Sequence, residues 1–356
     1  MSRNTMSGNT MSGNTMSRSS ISANLVCGLA LAAFAMAAAP ASAQTADPNS
    51  APNAWRADDA WAKQPMGRGF GMTIGLNVDR DGRSMWIFDR CGARSCANSK
   101  IAPLNRYDAD GHVVASLLAG MTVFPHGLFV DKDGNLWVTD GQGDKDKKMG
   151  HVVIKLAPDG KVLMTLGTPG ETGNDATHFN APSDVVVAQN GDIFVADGHG
   201  DKTNARIVKF SADGTFIKAW GRAGSGPGEF DTPHGLAFDS RGRLFVADRG
   251  NSRMQIFDQN GGFIAEWRQF GRPSGVWIDR NDVIYVADSQ SGPKLNPGFK
   301  QGIRVGDARD GKVTGFIEET QYLDSLEGVG VDDAGNIYAG YTGAQYLRRF
   351  VKKVSQ

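Results

Sequence analysis

The sequence carries no excess of charge of either sign. Its 356 residues contain 38 lysines and arginines against 38 aspartates and glutamates. Proteins that bind nucleic acid or anionic membranes concentrate basic residues, and this even balance shows no such footprint. We therefore expect no nucleic-acid partner. Histidine is also scarce, with six in the whole chain, so a histidine that recurs at one position of a repeat is informative.

Long hydrophobic runs are absent apart from one stretch, Leu25–Ala39, near the start of the chain. It is shorter than the roughly 20 apolar residues that span a bilayer. The stretch follows a low-complexity start and Arg18, and precedes "ASA" ending at Ala43, a pattern typical of a secretory signal peptide. We predict a signal segment over residues 1–43 with cleavage after Ala43, a linker over 44–60, and a periplasmic or secreted protein without a membrane span.

Cysteine occurs three times, and two of the three lie beyond the predicted cleavage site. Cys27 lies in the apolar run, which leaves Cys91 and Cys96 in "CGARSC". In an oxidising compartment this spacing favours a small disulfide loop. The alternative is a C-x4-C pair that binds a metal or undergoes redox chemistry.

The dominant feature of the sequence is a repeat. An apolar strand, a turn rich in Asp, Asn and Gly, and a second apolar strand that ends in most copies in Asp recur six times. Two further strand-like runs follow most copies, as in "RIVKFSADGTFIKAW". Four strands in each of six units predict an all-β, six-bladed β-propeller over residues 61–356. The copies are Ile74–Asp89, His126–Asp140, Ser183–Asp197, His234–Asp248, Ser274–Asp288 and Glu327–Tyr341.

Two details of the repeat lead to further expectations. The C-terminal run "QYLRRFVKK" lacks a partner run, so we expect residues 61–70 to supply the strand that closes the ring. The Asp at the end of the second strand recurs in most copies. A residue that most blades share is expected to serve the fold, so we assign this Asp to turn capping.

The first residue of each copy lies beside the central axis, because the innermost strand of every blade starts at the same face. Alternate blades place His126, His234 and Glu327 there, and these are ligand types for a divalent metal. The alternative is that the histidines only support the "PHGL" turn, yet blades three and five keep the proline and carry serine instead. We predict that the three residues bind zinc, with iron as the alternative metal.

Four residues that do not repeat follow the second strands at the same face: Arg90, His199, Arg249 and Tyr341. Two arginines at a metal-bearing mouth, in a chain without basic bias, indicate anchors for a carboxylate or an oxyanion. His199 in "DGHGD" is a candidate general base near neutral pH, and a solvated loop histidine is the alternative. We expect both arginines to be exposed, so that replacing them changes substrate kinetics but not thermal stability.

The blades resemble NHL repeats over most of the chain beyond residue 43. More narrowly, "HFNAPSDVVV", "ADGHGDKTNARIVKFSADGTFIKAWG" and "TPHGLAFDSRGRLFVADRGNSRMQIF" resemble the peptidyl-α-hydroxyglycine α-amidating lyases. The resemblance implies a propeller with zinc on three histidines, with two arginines and a tyrosine at the site. It also implies cleavage of a C-terminal hydroxyglycine into a peptide amide and glyoxylate.

The resemblance carries over to some site positions and not to others. Glu327 stands where the family has its third histidine, and His199 stands where it has the catalytic tyrosine. Gly328 stands where the family has an acidic calcium ligand, which argues against calcium. The residues that match zinc ligands are His126 and His234, and those that match the arginines are Arg90 and Arg249.

Three functions are compatible with these residues. The first is a secreted metal-dependent carbon–nitrogen lyase that acts on a small molecule or on the C-terminus of a peptide. The second is a non-catalytic NHL propeller that binds a protein or glycan partner. The third is a metal-dependent hydrolase of the lactonase kind. Bound metal separates the first and third from the second, and glyoxylate release separates the first from the third. We expect a monomer.

Overall fold

The computed structural model describes residues 47–353, and the predicted signal segment over 1–43 lies outside this range. The described residues form six antiparallel four-stranded sheets and contain no helix, which confirms the predicted all-β propeller. Each sheet is one blade, and in blades one to five its strands follow chain order from the central axis to the rim.

Twenty-four strands make up the blades. Blade one contains β2 (Thr73–Val78), β3 (Met85–Asp89), β4 (Leu104–Tyr107) and β5 (Val113–Leu117), and blade two contains β6 (Pro125–Val130), β7 (Leu136–Asp140), β8 (Val152–Leu156) and β9 (Val162–Leu166). Blade three contains β10 (Pro182–Val187), β11 (Ile193–Asp197), β12 (Arg206–Phe210) and β13 (Phe216–Trp220), and blade four contains β14 (Pro233–Phe238), β15 (Leu244–Asp248), β16 (Arg253–Phe257) and β17 (Phe263–Trp267). Blade five contains β18 (Pro273–Ile278), β19 (Val283–Asp288), β20 (Gly302–Asp307) and β21 (Val313–Glu318), and blade six contains β22 (Leu326–Val331), β23 (Ile337–Tyr341), β24 (Tyr346–Lys352) and β1 (Trp55–Asp58).

The strand that closes the ring is β1, and the expectation that residues 61–70 supply it is wrong. Trp55 pairs with Lys352 and Asp58 pairs with Arg349, so β1 forms the outer edge of blade six beside β24. The closing strand thus lies inside the segment 44–60 that the sequence suggested as a linker. Trp61 packs instead on Tyr107 and Tyr338 between blades one and six.

The burial of the strands follows from the stacking of blades face against face. Every residue of the second strands β7 and β11 is buried, because neighbouring blades cover both faces. Their sequences are accordingly almost continuously apolar, "LWVTD" and "IFVAD". The outermost strand β5 alternates between partly buried and exposed residues, as expected at a rim that faces solvent on one side.

The repeated Asp at the end of the second strand anchors loops, as predicted. Asp140, with no exposed surface, accepts hydrogen bonds from the backbone N–H groups of Val123 and Phe124. In three blades the same carboxylate also binds a buried arginine from the third strand, which the sequence reasoning did not foresee. These ion pairs are Asp197–Arg206 at 2.8 Å, Asp248–Arg253 at 2.7 Å and Asp288–Arg304 at 2.8 Å.

Two further predictions concern the covalent and membrane-related features. Cys91 and Cys96 form a disulfide directly after the second strand of blade one, as expected. In residues 47–353 we find no helix with the length and apolar character needed to cross a membrane.

Candidate metal centre

The first residues of the repeat copies surround the central axis, as predicted from the topology. A cavity of about 690 Å³ runs along the inner strands, and all six line it: Ile74, His126, Ser183, His234, Ser274 and Glu327. The glycine that follows most of them is required because neighbouring inner strands approach closely. A Cβ at Gly235 would lie 2.5 Å from the Ser274 carbonyl oxygen, and one at Gly275 would lie 2.5 Å from that of Glu327.

His126 and His234 are buried beside the axis and have one free ring nitrogen each. Their ring centroids lie 4.7 Å apart, so one ion can contact both. The Nδ1 atom of His126 lies 2.6 Å from the Ser183 carbonyl oxygen, and that of His234 lies 3.2 Å from the Ser274 carbonyl oxygen. Because a carbonyl oxygen only accepts hydrogen bonds, Nδ1 carries the proton in both rings and Nε2 is left with its lone pair. Both Nε2 atoms are buried and have no hydrogen-bond partner.

His199 brings a third imidazole to the same place from the loop after β11. Its ring centroid lies 4.5 Å from that of His126 and 5.0 Å from that of His234. One potential ligand atom from each of the three rings lies within 4.8 Å of the others. The sequence predicted His199 at this face as a base but not within reach of a shared ion. His199 belongs to blade three, which lies between the blades of His126 and His234. This position in the sequence repeat could have indicated that His199 reaches the same ion.

The three imidazoles are held neutral by their surroundings. Burial, together with the positive charges of Arg249 and Arg90, lowers the pKa of His199 to about 3. Burial is also the main reason that the pKa values of His126 and His234 lie well below their ordinary value of 6.5. Metal ligation requires neutral imidazole, so these residues fit a divalent cation.

Glu327 lies next to the imidazoles but is already ion-paired. Its Oε1 atom accepts a hydrogen bond from Arg249 Nη1 at 2.8 Å and lies 3.9 Å from His234 Nε2. The second guanidinium nitrogen of Arg249, Nη2, lies 3.4 Å from His199 Nε2. Arg249 therefore joins the carboxylate of blade six to the imidazole of blade three.

Arg90 lies beside the same cluster without an acidic partner. Its guanidinium carbon stacks 3.3 Å above the centre of the Phe124 ring, and its Nε donates to the Pro125 carbonyl oxygen at 3.2 Å. Burial lowers the pKa of Arg90 to about 10, against the opposing influence of Glu327 and Asp140. Within residues 47–353 no carboxylate forms an ion pair with Arg90, so its charge is available to an anion from outside.

The expectation that the two arginines are exposed is wrong. Arg90 is 4% exposed and Arg249 is 8% exposed, because Arg90 stacks on the Phe124 ring and Arg249 pairs with Glu327. Tyr341, named with them from the sequence, does not join the cluster. It is fully buried, donates a hydrogen bond from its hydroxyl to Glu319 Oε2 at 2.7 Å and packs against Tyr322.

Comparison with known proteins agrees with the repeat and the fold. Residues 230–257 match the model of the NHL repeat. The chain is 39% identical to NHL repeat-containing protein 3 of Homo sapiens, over 69% of this chain and 65% of that protein. It is 34% identical to peptidyl-glycine alpha-amidating monooxygenase B of Xenopus laevis, over 67% of this chain and 27% of that protein. A probable peptidyl-alpha-hydroxyglycine alpha-amidating lyase of Caenorhabditis elegans is 39% identical over 45% of this chain and 43% of its own length. The alignment spans less than two thirds of each relative.

Solved structures support the fold alone. A gluconolactonase from Xanthomonas campestris superimposes with a TM-score of 0.56 and 18% identity, covering 80% of this chain and 87% of that one. A virginiamycin B lyase from Staphylococcus aureus superimposes with a TM-score of 0.53 and 13% identity, covering 84% of this chain and all of that one.

The described residues form a six-bladed β-propeller in which residues 230–257 match the NHL repeat. Within that class the chain resembles the peptidyl-α-hydroxyglycine α-amidating lyases, as the sequence comparison indicates.

Proposed function

We propose that the protein is a metal-dependent lyase that cleaves the carbon–nitrogen bond of an N-acylated α-hydroxyglycine. The hydroxyl proton leaves its oxygen, the C–N bond breaks, and the nitrogen takes up a proton. The products are an amide and glyoxylate, so the atoms balance without a further reactant. The observation that carries the proposal is the convergence of three neutral imidazoles, two of them with buried, unpartnered Nε2 atoms, beside a buried arginine without an ion pair.

We assign the ligand role to His126, His199 and His234. This assignment replaces Glu327, the third ligand proposed from the sequence, because Glu327 is ion-paired with Arg249 whereas His199 lies in contact distance of both other rings. Three imidazoles with an open position are a common zinc-binding set, and iron is the alternative. A bound cation would polarise the substrate hydroxyl and lower its pKa.

The remaining residues have separable tasks in this scheme. Arg90 binds the substrate carboxylate, since its buried charge has no internal partner. Glu327 accepts the hydroxyl proton at Oε1, which lies 3.9 Å from His234 Nε2. Arg249 holds this carboxylate in place through the 2.8 Å hydrogen bond. His199 was the base suggested by the sequence, and as a ligand it has no free lone pair for that task.

The test combines metal content with product formation. We expect His126→Ala, His199→Ala and His234→Ala to lose bound metal after identical dialysis, and Glu327→Ala to keep it while glyoxylate release from an N-acylated α-hydroxyglycine falls. His112→Ala is the control, since its side chain is 57% exposed and lies outside the cluster. Retention of metal by His199→Ala with loss by Glu327→Ala would restore Glu327 as the third ligand.

Two results would favour the other functions. A purified protein that binds no divalent metal and releases no glyoxylate would point to a non-catalytic propeller that binds a protein or glycan. A metal-loaded protein that opens a sugar lactone but releases no glyoxylate would point to a hydrolase. The gluconolactonase structures share the fold, which gives this outcome a concrete substrate to try.

A further inference from the structure

A second cavity opens at the same face as the metal centre. It has a volume of about 630 Å³ and lies between two loops, residues 289–301 after β19 and residues 319–325 before β22. We call it the blade-five pocket. The loop 289–301 corresponds in the repeat to the loops that carry His199 and Arg249, so it approaches the same end of the propeller. Nothing in the scheme above uses this pocket.

Arg272 connects the pocket to the loop beside the metal centre. Arg272 donates from Nε to Gln290 Oε1 at 3.0 Å, on the side of the pocket, and from Nη1 to the Gly250 carbonyl oxygen at 2.9 Å, on the side of the centre. Gly250 directly follows Arg249, which contacts Glu327. One arginine therefore links the lining of the blade-five pocket to the loop that carries Arg249.

Part of the lining of the pocket is apolar and exposed. Leu295 and Leu323 are 54% and 58% exposed, which makes them two of the most exposed large aliphatic residues in the described structure. Four of the polar side chains of the lining are paired with each other. These pairs are Lys300 with Glu318 at 2.9 Å and Gln301 with Asp324 at 2.8 Å. Two exposed leucines, one from each loop of the pocket, offer an apolar contact for a hydrophobic side chain.

A substrate whose carboxylate binds Arg90 would extend its acyl side towards this pocket. Arg90, the proposed carboxylate anchor, belongs to blade one, and blade four lies opposite blade one in a ring of six. A carboxylate held at blade one leaves the rest of the molecule to extend towards the far side. Blade five, with the pocket, lies on that side. An extended peptide advances about 3.3–3.6 Å per residue, so a few residues reach beyond the centre.

We propose that the blade-five pocket binds an apolar side chain of the peptide that precedes the reacting hydroxyglycine. The proposal rests on the proposed function, because it takes the carboxyl end of the substrate to lie at Arg90. The pocket makes the protein selective among peptide substrates, whereas the metal centre and the arginines recognise only the end that all of them share.

The test uses acetylated alanine peptides that end in α-hydroxyglycine and carry one phenylalanine one, two or three residues before it. We expect one of these positions to raise kcat/KM about tenfold over the all-alanine peptide, the size of effect that an apolar contact gives. Leu295→Asp and Leu323→Asp should each abolish this preference and leave turnover of the all-alanine peptide unchanged. Leu163→Asp is the matched control, since Leu163 is 47% exposed on the outer strand of blade two.

A calorimetric arm separates failure of this inference from failure of the proposed function. The same peptides ending in ordinary glycine are titrated into the zinc-loaded protein, where no turnover is needed. Absence of glyoxylate with a phenylalanine preference that the two leucine variants lose would remove the lyase activity and keep the pocket. Equal binding and turnover of all the peptides, no binding of any, or a preference that survives both leucine substitutions would overturn the assignment.

Discussion

Neutral, buried histidines make the stability of the metal-free protein depend on pH, and His234 provides a direct test. The pKa of His234 is well below 6.5 in the folded protein, mainly through burial, and returns to about 6.5 on unfolding. The unfolded chain therefore binds one more proton than the folded chain at mildly acidic pH. The stability that the neutral ring contributes is fully present above pH 6.5 and is lost as the pH falls from 6.5 towards the folded pKa.

The size of the effect follows from proton linkage. Between pH 7.5 and pH 5 each such imidazole lowers the free energy of unfolding by about 2 kcal/mol. Buried carboxyl groups act in the opposite direction, since burial raises the pKa of Asp140 to about 7. The wild-type curve alone is thus a sum of opposing effects. The difference between wild type and His234→Gln isolates the imidazole, and glutamine keeps an N–H for the Ser274 carbonyl oxygen.

The assay is urea unfolding at pH 7.5 and pH 5 in the presence of a chelator. We expect the loss of unfolding free energy in His234→Gln, relative to wild type, to be about 2 kcal/mol smaller at pH 5 than at pH 7.5. His178 is the control for sign, because hydrogen bonding to Asp175 raises its pKa, and His178→Gln should shift the difference the other way. An energy gap between wild type and His234→Gln that is the same at both pH values would refute the reasoning.

The other predictions concern buried pairs and the cross-link. Arg253→Ala leaves the buried carboxylate of Asp248 without its partner and should cost about 3–5 kcal/mol in urea unfolding, with an effect below 1 kcal/mol contradicting the pairing. Replacing Cys91 and Cys96 by serine frees a short loop and should lower stability by about 2 kcal/mol, and a double variant as stable as wild type would show that the loop is held by other contacts. Arg249→Ala should lower the melting temperature because the residue is buried, and kcat/KM because it holds Glu327 in place. An unchanged melting temperature would instead agree with the exposed arginine expected from the sequence.

The propeller was predictable because its signals are local. Alternating apolar residues and turns such as "DKDGN" specify a hairpin within about 15 residues, and six hairpins specify the ring. The closing strand was not predictable in the same way. "WRAD" over Trp55–Asp58 is short and only half apolar, and its role depends on pairing with Tyr346–Lys352 at the other end of the chain. Local pattern does not distinguish it from residues 61–70.

The same distinction between local and long-range signals applies to the candidate site. His126, His234 and Glu327 were placed at the axis because each opens a first strand, and the strand fixes its position. His199 and Arg90 lie in loops, whose paths are set by contacts that no repeat position encodes. Arg90 is buried because its guanidinium stacks on the Phe124 ring, which belongs to the next blade. Such contacts appear only when the blades are assembled.

The pairing of β1 with β24 has a consequence for how the protein is made. β1 leaves the ribosome before any other strand of the propeller, yet its partner β24 is the last to be synthesised. Each intervening blade can pair its own four strands as it emerges, since they are consecutive. During all of that time β1 must wait as an unpaired strand, a state that favours pairing with other chains. β1 carries one basic and one acidic residue, Arg56 and Asp58, and charged side chains disfavour such pairing. This protection is already needed in the nascent chain, before the ring is complete.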